Sequence, residues 1–174
     1  GIVKKIFMPY VLASQMIPIL GLAPVVFGLV KDIDLSRIVI AAYMTFFPVT
    51  ISMMRGMSAI DPDSRALLRL CAVNKIQEYS KLIFPASLPH LFTGLKLAAP
   101  MAVTASVLVD TLSAKDGIGY VLVLTLYGGG TTGQFWPAVL LSSLMGVFSF
   151  VIVSLAEFLC IPWNRQEGKV GDRR

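Results

Sequence analysis

Charge is what this sequence has least of. Only 14% of its 174 residues are Asp, Glu, Lys or Arg, against about 25% in an average soluble domain. Histidine occurs once, as His90, and cysteine twice, as Cys71 and Cys160. A single histidine, with no cluster of His, Cys, Asp and Glu at ligand spacing, gives no metal centre to expect. The glycine-rich GGGTTG at 128–133 lacks the lysine of a Walker-type phosphate loop. No serine stands in a nucleophile elbow, and His90 has no evident base partner. These absences argue against a hydrolase or an ATPase and leave no catalytic residue and no cofactor to assign.

The shortage of charge is concentrated in long runs. Residues 8–30 contain no charge in 23 positions, 38–54 none in 17, 97–109 none in 13 and 117–156 none in 40. A helix that crosses the hydrocarbon core of a bilayer needs roughly 20 apolar residues. The runs therefore predict an all-α integral membrane protein with about four crossings, over 8–30, 38–54, 88–109 and 137–159. Lys96 is accommodated by snorkelling of its stem toward an interface.

Between the last two crossings, GIGYVLVLTLY at 117–127 is too short to span, and it predicts a re-entrant or surface-lying segment on the outer side. Trp136 and Trp163 bracket the final crossing as interfacial aromatics do. Residues 164–174 form a basic tail.

The net charge of +5 could suggest nucleic acid, but its distribution points elsewhere. With Lys4 and Lys5 on the cytoplasmic side, four crossings place eleven Lys and Arg inside and three outside, Lys31, Arg37 and Lys115. That bias places the stretch 61–94 and the tail in the cytoplasm and makes the positive charge a topology signal, with lipid rather than nucleic acid as partner. Cys71 and Cys160 then fall at or inside the reducing side, so no disulfide is implied.

The stretch 61–94 is the polar interruption in this apolar chain. Asp61-Pro62 is a helix start, because the carboxylate accepts from first-turn N–H groups and proline at the first position loses no needed donor. Ala66, Leu67, Leu70 and Cys71 share one side of that helix. Asn74 with Gln77 predicts a second start through a capping box, and Pro85 predicts its end. Residues 61–84 are thus expected to form two short cytoplasmic helices. Their apolar side either lies against the protein's own bundle or docks into a groove on a soluble partner.

Ser14 and Gln15, on a first crossing interrupted by Pro9, Pro18 and Pro24, either bond a neighbouring helix or line a solute path with Pro18. Asp110 closes the third crossing. It is read as an interfacial carboxylate facing water or capping the loop before Lys115, with a place in an ion or solute path as the competing reading. A segment of an ion-coupled carrier or channel pairing Asp110 with Lys96 is the alternative for the whole chain.

DP at 61–62, ALL at 66–68, Ala72 and FPASLPHLFTGLKLA at 84–98 resemble, in that order, the cytoplasmic "EAA" loop of binding-protein-dependent ABC transporter permeases. MIPILGLAPVVFGL at 16–29, FFPVTISMMRGM at 46–57 and VDTLSAKDGIGYVL at 109–122 are similar to stretches of the nitrate/sulfonate/taurine-type members, including the thiamine-precursor and riboflavin-like branch. The resemblance implies a multi-pass inner-membrane permease subunit with residues 1–163 as one transmembrane domain. It further implies two helices before Gly1, so the chain is expected to be either a fragment or a naturally shortened subunit.

The implied partners are ABC ATPase subunits, a second permease subunit as homodimer or heterodimer, and an extracytoplasmic solute-binding protein. The implied coupling residues are Asp61, Pro62, Ala66, Leu67, Leu70, Ala72, Pro85, Pro89 and Gly94. Two positions depart from the pattern: the Glu of the motif is Ala66 and its Gly is Ala72. That departure leaves Asp63 or Arg65 to supply the polar contact.

Overall fold

A computed structural model describes Pro9 and residues 16–70, 73–113, 115–128 and 132–162. Every regular element among them is helical: α1 Ile19–Val30, α2 Ile33–Ser58, α3 Pro62–Leu70, α4 Lys75–Glu78, a π-helical turn Tyr79–Ile83, α5 Phe84–Ser113, α6 Ile118–Tyr127, a 3-10 turn Thr132–Gln134 and α7 Phe135–Cys160. Three stretches are long and apolar enough to cross a membrane: Ile33–Ser58, Lys75–Leu112 and Phe135–Cys160. The expectation of four is met by three among the described residues. The described helix of the first run is the 12-residue α1, which starts only after Pro18.

Local chemistry accounts for the boundaries. Pro18 is extended and its carbonyl accepts from Gly21 and Leu22 N–H, so it opens α1 and marks a break rather than a kink within a longer helix. Lys31 adopts a left-handed conformation at φ 56°, ending α1. Asp32 then accepts from Leu35 N–H at 2.8 Å, and Asp34 lies in the first turn. With this cap beside the helix dipole, α2 begins at Ile33, five residues before the expected 38. The helix runs on through Pro48.

The second correction concerns Pro85. The helix expected to end there instead runs into α5, giving a 38-residue stretch from Lys75 to Leu112. The π turn is the reason. Phe84 N–H bonds Tyr79 carbonyl, five residues back, so the ladder shifts register just before the proline. Pro85 becomes the second residue of α5, where the missing N–H and the fixed φ are tolerated. At 1.5 Å per residue such a stretch is about 57 Å long, against a hydrocarbon core of about 30 Å.

The chain divides into two compact units, one drawn from Gly1–Phe47 and Ala99–Ser149, the other from Pro48–Ala98 and Phe150–Arg174. The core of the first is Ala23, Ile40, Ala105 and Val109, packed by Ile19, Leu22, Val26, Ile33, Ala41 and Met44. In the second, α2 and α5 approach closely at two glycines. A Cβ on Gly94 would lie 3.0 Å from Val49 Cα, and one on Gly56 would lie 2.7 Å from His90 Cβ. Small residues at such crossings let backbones meet without a hydrophobic driving force in lipid. Along α7 the apolar residues Leu140, Leu144, Phe148, Ile152 and Leu155 are more than half exposed, which suits lipid as solvent or another apolar surface.

Candidate functional site

The stretch after α2 is built from short-range polar contacts. Asp61 accepts from Asp63 N–H at 3.3 Å and from Ser64 hydroxyl at 3.4 Å, so α3 starts where the Asp-Pro pair predicts. Of the reciprocal pair at the next start, Asn74 N–H donates to Gln77 Oε1 at 3.3 Å. Arg65 reaches back eight residues, and its Nη2 donates to Met57 carbonyl at 2.9 Å. Met57 lies in the last turn of α2, whose carbonyls lack helical partners. The side chain therefore ties α3 to the end of α2, while Arg65 Nε is buried without an acceptor.

Beside this tie, apolar side chains of α3 stay open. Leu67 is 64% exposed and Leu70 84% exposed, with Ala66 exposed beside them. Pro62, Arg65, Ala66 and Leu70 line a shallow concavity of about 450 Å³. Ile76 and Tyr79 extend the exposed apolar character past Asn74. Among the described residues nothing covers Leu67 and Leu70 on the apolar side of α3.

A second pocket of about 280 Å³ gathers Asp61 and Ser64 with Pro85, Pro89 and His90. Of the positions singled out from the sequence, Asp61, Pro85 and Pro89 thus come together at this pocket. Pro62, Ala66, Leu67 and Leu70 lie on α3 at the open face. Gly94 belongs to neither. It is buried at the α2 crossing, where its lack of a side chain serves packing. Ala72, Ser14 and Gln15 lie outside the described residues.

Asp110 does not face water. It is 7% exposed, and Arg37 Nε donates to its Oδ1 at 2.7 Å. Arg37 also pairs with Asp34 and approaches Asp116 at 3.9 Å. The Gly-Ile-Gly that follows closes on this carboxylate. Gly117 has φ 100°, and a Cβ there would lie 2.4 Å from Asp110 Oδ2. A Cβ on Gly119 would lie 2.1 Å from Val107 carbonyl. The acid and the two glycines are therefore one structural unit at the start of α6.

Lys96 pairs with Glu157 of α7, so the Lys96 and Asp110 pairing on which an ion-coupled reading rested is not formed. Sequence reasoning missed Arg37, Glu157 and Gly56. The available signal was that Lys96 and Asp110, as ionisable residues in apolar helices, each need a partner.

Residues 1–159 match the model of the family described as binding-protein-dependent transport system inner membrane component. The chain is 29% identical over 167 residues to a formylaminopyrimidine transport permease protein of Halalkalibacterium halodurans, covering 95% of this chain and 66% of that protein. It is 28% identical over 151 residues to a putative aliphatic sulfonates transport permease protein of Escherichia coli, covering 85% and 56%. It is also 25% identical over 156 residues to a riboflavin transport system permease protein of Chloroflexus aurantiacus, covering 90% and 58%. The chain spans between about half and two thirds of the length of the curated relatives it matches.

Proposed function

Because this chain belongs to the family of binding-protein-dependent transport system inner membrane components, we propose that it is the membrane-spanning part of an ATP-driven importer for a small organic solute. Its own role is to form part of the translocation path and to receive motion from a separate ATPase through residues 61–84. The observation that carries the coupling role is the exposed apolar character of α3, with Leu67 and Leu70 64% and 84% exposed on a helix tied to the end of α2 by Arg65. An amphipathic helix held this way suits the helix-in-groove mode of docking.

The charge bias favours the cytoplasm for this loop and the C-terminus, where an ATPase has access to them. A second permease subunit completes the path, and a solute-binding protein delivers substrate on the opposite side. The relatives' named substrates, a formylaminopyrimidine, aliphatic sulfonates, riboflavin and nitrate, are all small solutes, and most of these are organic.

Mechanically, α3 is tied to the end of α2, and α4 is continuous with α5. Closure of the ATPases moves both crossing helices from their cytoplasmic ends. Transport is then a population shift between inward- and outward-open states, with ATP and the loaded binding protein each favouring one. Leu67→Glu tests the docking. It should abolish co-purification of the ATPase while the permease still inserts; retained co-purification refutes the role of this face.

A further inference from the structure

Lys96 and Glu157 carry an inference that the motif alone does not. Lys96 interrupts an apolar stretch of α5, and Glu157 is the first charge after 40 uncharged residues. The two bond through Nζ and Oε2, with side chains only 27% and 18% exposed. Among the described residues, each has only the other as an ion-pair partner. Helical side chains tilt toward their own N-terminus. Lys96 therefore leans along α5 toward its coupling-loop end, and Glu157 on α7 meets it there.

In a medium with little water, separating such charges is costly, and removing one strands the other. An apolar contact between α5 and α7 can slide, because lipid and side chain are equally acceptable neighbours. This pair cannot slide without breaking.

We propose that Lys96 and Glu157 are positioning residues that join the last crossing to the coupling-loop helix, so that α7 moves with the cytoplasmic part of α5 during the transport cycle. The inference rests on the permease reading above and adds a path for the motion. A push received at residues 61–84 passes along the continuous Lys75–Leu112 stretch to Lys96 and from there to α7. Neither side chain needs to touch solute.

Two measurements on the full transporter, assembled with its ATPase and binding protein in lipid, test it. The first leaves the pair intact. Spin labels at Leu97→Cys and Leu159→Cys, both exposed apolar positions, in a Cys71→Ser/Cys160→Ser background, report the α5 to α7 distance. It should stay the same, with one narrow distribution, in the nucleotide-free and ATP-trapped states. A nucleotide-dependent separation would overturn the joint. The second uses charge reversal. Lys96→Glu and Glu157→Lys should each lower solute uptake by about tenfold or more, through stranded like charges, while ATP hydrolysis by the bound ATPase continues. The Lys96→Glu/Glu157→Lys double variant should restore uptake to within about threefold of native, since the pair is re-formed with its signs exchanged. Native uptake in both single variants would contradict the proposal, as would a double variant no better than the singles. Failure of ATPase docking would appear separately, as loss of the ATPase from every preparation.

Discussion

Leu67→Ala separates docking energy from folding energy at one side chain. Fully burying a leucine is worth about 1.5–3 kcal/mol. Leu67 is 64% exposed in the isolated chain, so covering it on docking contributes about 1–2 kcal/mol, roughly a five- to thirtyfold change in Kd for the ATPase. The same exposure means that the fold loses little: the unfolding free energy should shift by no more than about 0.5 kcal/mol. Affinity is read by titrating labelled ATPase onto permease in lipid nanodiscs, and stability by thermal unfolding in the same discs. Leu67→Glu should go further, because it places a carboxylate in an apolar groove. Unchanged Kd in both variants would refute the reasoning. So would a Leu67→Ala permease destabilised by about 2 kcal/mol or more, since that is the cost expected of a leucine packed in its own protein.

Arg65→Ala should raise amide hydrogen exchange across residues 59–70, because α3 loses its bond to Met57 carbonyl; protection equal to native would contradict the tie. Gly94→Ala should destabilise the permease by about 1–3 kcal/mol through overpacking against Val49 and Ser52, measured as a lowered Tm. Asp110→Leu removes the buried acceptor of Arg37, which keeps Asp34, and should cost about 1.5–3 kcal/mol; the Arg37→Leu/Asp110→Leu double variant should recover part of it, and a double variant as unstable as the single would mean the pair is not what holds these helices.

What could be read from the sequence was local. Asp61-Pro62, the pairing of Asn74 with Gln77 and the apolar positions of α3 all depend on residues within one or two turns, and each formed as expected. The exposure of Leu67 and Leu70 could not be read, because periodicity identifies an apolar side without saying what covers it. The ion pairs were hidden by distance along the chain: Arg37 and Asp110 are 73 residues apart, and a sequence shows that a membrane charge needs a partner without showing which.

Pro85 failed for a different reason. The rule that proline ends a helix assumes an unbroken i to i−4 ladder, and the π turn at Tyr79–Ile83 resets that ladder first. Gly94 was legible as part of a motif, but its burial against α2 assigns it to packing. Ala66, where the motif has Glu, stands on the open face, and the cation beside it, Arg65, is engaged within the chain.

The central claim is that this membrane chain moves solute by receiving motion from an ATPase at residues 61–84. The most direct measurement is solute uptake into proteoliposomes containing the full permease, its ATPase and its binding protein, with and without internal ATP and in the presence of an uncoupler. The account predicts uptake that requires ATP, persists with the uncoupler and disappears in Leu67→Glu; uptake that proceeds without ATP, or that survives Leu67→Glu undiminished, would contradict it.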